Sequence, residues 1–287
     1  MTMDQITNVL VTVMLMEMMI TIGLGVNVSD LMNVARDGKL LAKAVFANYY
    51  ICVPAVTIGL LLLFGAQPLV AAGFLITAFC PGAPYGPPLT AIAKGNMTVA
   101  VGLMVLLAGS SAILAPVLLG LFLPLMAGDE TLHVATFRIV RTLLFTQLLP
   151  LSVGLTLHQY RPALAERLMT PGNVVGKLLN LLACGLIIGT QYPMLFEVRL
   201  RGYFGMLLLV LASFAAGWIC GGPGDQNRRT LTLTTSLRNV GVGLVIATGN
   251  FAGTPAVTAV LAYGLFEVLA SLLLALWWGW RSRPCAP

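Results

Sequence analysis

"FCPGAPYGPPLTAIAKGN", residues 79–96, interrupts an apolar run with four prolines and three glycines. Each proline removes a backbone donor and its ring crowds the preceding helical turn. Hydrocarbon offers no water to the carbonyls set free. A break at that depth therefore stands only where it is buried in protein or lines a cavity. Whether these residues lie within a membrane span decides the fold.

The flanks place them inside one. Apolar "LVAAGFLITAF" precedes the break and "LTAIAK" follows it. The 287 residues are 58% hydrophobic and 9% charged, with a mean hydropathy of +0.93. A soluble domain carries roughly 25% charged residues, so the composition predicts an all-α polytopic membrane protein with one membrane domain, 1–287. The net charge of +6 fits loops rich in Lys and Arg on one side of a lipid bilayer, not a nucleic-acid partner. Cys52, Cys80, Cys184, Cys220 and Cys285 lack metal-ligand spacing and read as small apolar residues and a free tail thiol. The start lacks a basic signal-peptide region, so its first apolar segment reads as a retained helix.

About 20 apolar residues cross a bilayer. That length divides the chain into nine segments: 6–27, 40–65, 68–93 (broken), 97–124, 136–158, 174–194, 203–221, 229–251 (broken) and 255–280. The "AGSSA" waist of the fourth would allow close helix packing. Arg36, Lys39, Lys43, Lys94, Arg161, Arg167, Lys177, Arg228, Arg229, Arg281 and Arg283 fall on the side of the C-terminus. Arg138, Arg141, Arg199 and Arg201 fall on the other, and eleven against four predicts a cytoplasmic C-terminus and an external N-terminus in the cell (inner) membrane. The stretch "TLHVATFRIVRTLLF" is expected to lie along the outer surface before the fifth span begins, its arginines reaching the headgroups.

Segment eight, "TLTLTTSLRNVGVGLVIATGNF", gathers Thr232, Thr234, Thr235, Ser236, Arg238, Asn239, Gly241 and Gly243 where a lipid-facing helix would carry leucine. Each broken segment is followed by one last helix of its half. The halves therefore read as a truncated first repeat, 1–126, and a second repeat, 131–283. Interrupted segments in matching positions of two halves point to a transporter's midplane site. Half-helix N-termini there would present free N–H groups to an anion.

These motifs carry a resemblance. "FCPGAPYGPPLTAIAKGN" with the helix after it resembles the bile acid:sodium symporter family, whose members show Cys-Pro-Gly-Gly and a Leu-Ala-(Lys/Arg)-Gly-(Asp/Asn) run. "RTLTLTTSLRNVGVGLVIA" is similar to that family's second crossing helix, and "LLPLSVGLTLHQY" to the first helix of its second repeat. Cys80, Pro81, Gly82, Lys94, Gly95, Asn239 and Gly241 are the specific matches. The resemblance implies an inverted-repeat transporter with two crossing discontinuous helices. A core domain would hold the crossing, and a panel domain would rock against it.

The same resemblance implies sodium ligands that are mostly missing. The family's Ser-Asn pair falls on Gly86 and Pro87, and its next-helix Ser and Thr on Ala100 and Met104. The shared Glu falls on Thr234, the Gln of the second site on Arg238, and a further Gln near Asn48 or Tyr49. Arg238 puts a fixed cation where sodium would sit, and like charges in low dielectric repel. It is expected to replace that ion and attract a substrate carboxylate, or else to pair with Glu267 or with exposed backbone carbonyls. Pro84, Tyr85, Gly86, Thr235, Ser236, Arg238 and Asn239 are the candidate substrate-binding residues, and Thr234, Asn48 and Glu267 the candidates for ion coupling. Glu17 reads as a hydrogen-bonded packing residue of the panel.

Other classes fit less well. "GPGD", residues 222–225, matches an intramembrane aspartyl protease element, but that chemistry needs a second membrane aspartate, and Asp4, Asp30, Asp37 and Asp129 lie at the terminus or in loops. Neither a zincin motif nor a nucleophile elbow occurs, and nothing asks for a cofactor. The expectation is a secondary transporter of small organic anions, not an enzyme, coupled to a proton or to nothing. The alternatives are a sodium symporter with rearranged sites, a channel and a ligand-sensing membrane protein.

Overall fold

The computed structural model describes residues 2–50, 53–126, 135–196 and 200–282. Among these residues every regular element is helical, apart from one isolated bridge between Pro81 and Arg238. Helices close their backbone hydrogen bonds within one segment, as surrounding lipid demands.

The first helix, α1 (Met3–Leu24), starts on a capping box in which Thr2 and Gln5 exchange side-chain and backbone hydrogen bonds. A short amphipathic helix, α2 (Val28–Arg36), follows behind its Asn27 cap and sets Val34 against Gly102. The sequence reading left this stretch as a connection. Next come α3 (Gly38–Val45), a π-helical turn (Phe46–Tyr50) and α4 (Val53–Phe64). Segment three is divided as expected, into α5 (Pro68–Ala78) and α6 (Gly86–Ile92). The long α7 (Met97–Met126) continues through Pro116 and Pro124.

In the second half, α8 (Thr136–Leu143), a π-helical turn (Leu144–Leu148) and α9 (Leu149–Tyr160) run on without interruption. From Thr136 onward, the expected surface stretch is therefore the first turns of the span. It buries Ile139 and Leu143 and leaves Arg138 and Arg141 exposed; His133 lies outside the described residues. Helix α10 (Pro162–Phe196) starts at Pro162 rather than at 174. Its 35 residues reach about 52 Å at 1.5 Å each, well beyond a hydrocarbon core of ~30 Å. Then come α11 (Leu200–Cys220), the divided pair α12 (Asp225–Ser236) and α13 (Val240–Asn250), and α14 (Pro255–Arg281).

Among the described residues, 7 helices are long and apolar enough to cross a membrane. The half-helices α5 and α13, 11 residues each, reach about 16 Å, half of a hydrocarbon core.

The helices pack in two groups. One joins α1, α9 and α10. Gly23 and Gly154 let the backbones of α1 and α9 touch, since a Cβ on Gly23 would sit 2.5 Å from the Leu151 carbonyl; small residues at such contacts are how membrane helices approach closely. Glu17 sits at this packing, accepting from Thr21 Oγ1 at 2.7 Å. The other group collects α5–α7 and α11–α14. The groups meet where α1 lies on α13, α10 on α14 and α8 on α7. Polar ties mark these contacts: Thr258 to Gln191, Thr248 to Asn8 at 3.5 Å, and Gln147 to the Ala108 carbonyl and Ser111 Oγ.

Candidate functional site: a crossing of two broken helices

The two interruptions touch. The Asn239 N–H donates to the Cys80 carbonyl at 2.7 Å, and Asn239 Nδ2 reaches the Gly82 carbonyl at 3.3 Å. A strand-like bridge between Pro81 and Arg238 thus satisfies backbone that lipid could not. Cys80, Pro81, Gly82, Arg238 and Asn239 are all buried. Gly82 has φ +89° and packs against the backbone of α7 within the small-residue waist, where a Cβ would lie 2.4 Å from the Ala108 nitrogen. The family-like Lys94-Gly95-Asn96 run has a local reason too. Lys94 turns the chain at φ 58°, and the Asn96 N–H then donates to Thr230 Oγ1 on α12 at 2.8 Å.

A crossing of this kind has four helix ends. Those of α5 and α12 are C-termini, each carrying about half a negative charge. Arg238 serves both: its Nη1 donates to the Ala78 carbonyl of α5 at 3.3 Å, and its Nη2 to the Thr235 carbonyl of α12 at 2.6 Å. The side chain is 1% exposed. Glu267, 0% exposed, accepts the Arg238 backbone N–H at 2.7 Å. The two expected partners are joined, but through the arginine's main chain and not its guanidinium. Arg238 Nε and Glu267 Oε2 both remain without a hydrogen-bond partner.

The other two ends are N-termini, and they differ. Asn239 caps α13, its Oδ1 accepting the Val242 N–H at 3.2 Å. Helix α6 was expected to offer free amides to an anion, yet Pro87 and Pro88 hold its second and third positions and have no N–H to offer. The amides on either side are bonded, Gly86 to the Ala83 carbonyl and Leu89 to that of Tyr85. The anion cradle read from sequence is therefore missing at this end.

The remaining candidates surround the crossing. Gly86 faces Thr234 across the break, while Thr234 returns its hydroxyl to the Thr230 carbonyl at 2.9 Å. Thr235 Oγ1 accepts from Asn48 Nδ2 at 3.3 Å, and Ser236 meets Ser271 at 3.1 Å. Asn48 sits in the π-helical turn after α3, with its Oδ1 unpartnered. Tyr85 is 41% exposed, the most open aromatic of the break, and Pro84 is half-buried. Gly241 brings the N-terminus of α13 against Met18 and Leu15 of α1. The candidates thus gather about the crossing. A cavity of about 730 Å³ between α4, α5, α11 and α14 includes none of them.

The sequence reading missed Gln147, whose amide ties the second π-helical turn to α7. A lone glutamine in apolar "LLFTQLLP" was the available signal.

These features define a class: polytopic helical membrane proteins in which two discontinuous helices cross in the interior. Comparison with known proteins narrows it. The Sodium Bile acid symporter family matches residues 12–197, and the chain belongs to that transporter family. It is 27% identical over 284 residues to the "Probable sodium/metabolite cotransporter BASS2, chloroplastic" of Oryza sativa subsp. japonica, covering 96% of this chain and 65% of that protein. To the BASS1 counterpart of Arabidopsis thaliana it is 26% identical, over 93% of this chain and 65% of the relative. The "Uncharacterized sodium-dependent transporter YocS" of Bacillus subtilis is 25% identical, over 95% and 84%. The chain thus spans about two thirds of the length of the plant relatives.

Proposed function

We propose that this protein is a secondary transporter of small organic anions, of bile-acid-like or simpler carboxylate type, working by alternating access. The single observation that carries this reading is the buried crossing at Asn239 and Cys80 in a member of a symporter family. Unwound backbone at that depth serves a ligand or ion path, because a merely structural helix has no need of it.

In this reading α5/α6 and α12/α13 each make one crossing of the bilayer, giving nine in all, with the N-terminus outside. The two halves are inverted repeats, 1–126 and 131–283. Helices α1, α8, α9 and α10 form the panel and the rest the core. The substrate lies between Asn239, Tyr85 and the panel face of α1. The guanidinium of Arg238, already engaged by two carbonyls, contributes charge at short range and keeps Nε and the second protons of its Nη atoms to offer. Coupling is to a proton or absent, since Thr234, Gly86, Pro87, Ala100 and Met104 supply no carboxylate.

The test is counterflow in proteoliposomes with cholate, benzoate and propionate as labelled probes, with and without sodium or a proton gradient. Saturable exchange of at least one carboxylate is expected. Large, non-saturating currents would replace the carrier reading with a channel.

A further inference from the structure

We propose that the Arg238 guanidinium is the resident cation of the crossing, doing by covalent attachment what a bound alkali ion would do there, so that this chain works without sodium. The inference rests on the transporter reading for its consequence, but its geometry stands apart from any substrate.

Two half-helix C-termini converge on one point, and the Glu267 side chain is held beside them through the Arg238 amide. Helix ends carry about half a charge each, so the spot demands a cation. The guanidinium supplies one with a planar fork, one nitrogen on each helix. Because Arg238 lies in the three-residue link between α12 and α13, this cation cannot dissociate. It also fastens α12 to α5, elements 160 residues apart in the chain.

A second cation would find little room. A monovalent ion ~5 Å away would bind on the order of a hundredfold more weakly through repulsion alone, at an effective dielectric of ~20. The neighbouring hydroxyls already hold protein partners, Thr234 in its own turn, Thr235 at Asn48 and Ser236 at Ser271, and Asn48 Oδ1 and Glu267 Oε2 are among the oxygens left without one. The printed names of the relatives mention sodium; this crossing has its positive charge built in.

Two measurements decide the matter. The first is thermal unfolding of the purified full chain in detergent, in sodium chloride or choline chloride at about 150 mM. The melting temperature is expected to agree within about 1 °C between the two salts, since only a bound ion shifts it. Arg238→Ala should melt lower, and guanidinium chloride at ~20 mM should restore part of the loss where choline does not. Should Arg238→Ala fail to fold, Arg238→Lys keeps a charge without the fork and should show a smaller loss. The second is wild-type counterflow of cholate, benzoate and propionate, which should change less than about twofold when choline replaces sodium. A sodium-dependent rise in wild-type melting temperature, or a tenfold gain in counterflow with sodium, overturns the inference and leaves transport standing. No counterflow of any probe in either salt sinks the transport reading instead, and the melting comparison then judges the resident cation by itself.

Discussion

Gly82→Ala should loosen the crossing more than any other single-methyl change near it. Gly82 holds φ +89°, a region that costs an L residue about 1–2 kcal/mol. The new Cβ would also meet the Ala108 nitrogen at 2.4 Å and the Met104 carbonyl at 2.8 Å. Both are backbone atoms of α7 and cannot rotate away, so the helix must shift, at about 1–3 kcal/mol for overpacking. The sum is about 3 kcal/mol, worth roughly 6–12 °C in melting temperature for a chain of this size. Gly86→Ala is the matched control. Its Cβ would lie 3.5 Å from Thr234 Cγ2, an ordinary contact, at the start of a helix where alanine is well suited. Unfolding of both variants in detergent, followed by intrinsic tryptophan fluorescence, gives the comparison. If Gly82→Ala melts within about 2 °C of Gly86→Ala, the close approach of the break to α7 is not what holds the crossing.

Asn239→Ala removes the cap of α13 and the bridge to the Gly82 carbonyl. It should destabilise by about 2–3 kcal/mol, while Asn239→Ser, which keeps a cap oxygen but not the bridge, should fall between; equal melting of the two would show that the bridge contributes nothing. In a background freed of native cysteines, Gln191→Cys with Thr258→Cys places reactive thiols where α10 meets α14. A short bismaleimide across them should stop counterflow if the two helix groups move against each other, and unimpaired exchange in the tethered protein would exclude that motion. Orientation is open to impermeant maleimides: Arg201→Cys should label in intact cells and Lys94→Cys only after permeabilisation, and the reverse pattern would invert the topology.

Both breaks were legible because proline, glycine and clustered hydroxyls are conspicuous among leucines. Segment three divides between Ala78 and Gly86, and segment eight between Ser236 and Val240. The helix α2 and the early start of α10 were hidden for one physical reason. Polar residues such as Asp30, Asn33, Glu166 and Arg167 lower the hydropathy of helices that need not lie in lipid, and a hydropathy ruler measures only lipid contact. Backbone carbonyls were among the expected partners of Arg238, but which carbonyls was hidden for another reason. Its carbonyl contact on Ala78 spans 160 positions, and no local pattern tells an arginine that serves helix ends from one awaiting a ligand. The lack of amides at α6, by contrast, was written in the sequence. "GPP" at a helix start is a good beginning for a helix and a poor site for an anion, because the same ring that favours the first turn has no N–H.

The closed N-terminus of α6 bears on the proposed substrate. Of the four ends at the crossing, two C-termini are met by the guanidinium, one N-terminus is closed by prolines and one is capped by Asn239. The donors left open there are Arg238 Nε, the second protons of its Nη1 and Nη2 and, at the first turn of α13, the Gly241 N–H, for which the described residues provide no acceptor. In the proposed transport, one guanidinium and one amide would leave most oxygens of a multiply charged phosphate unpaired in a buried site. A single carboxylate, with its apolar body against Met18 and Leu15 of the facing helix, suits both the donors and the wall. The chemistry of the ends therefore favours a monoanion with hydrophobic bulk, and a ranking of cholate and benzoate above propionate in counterflow follows from it.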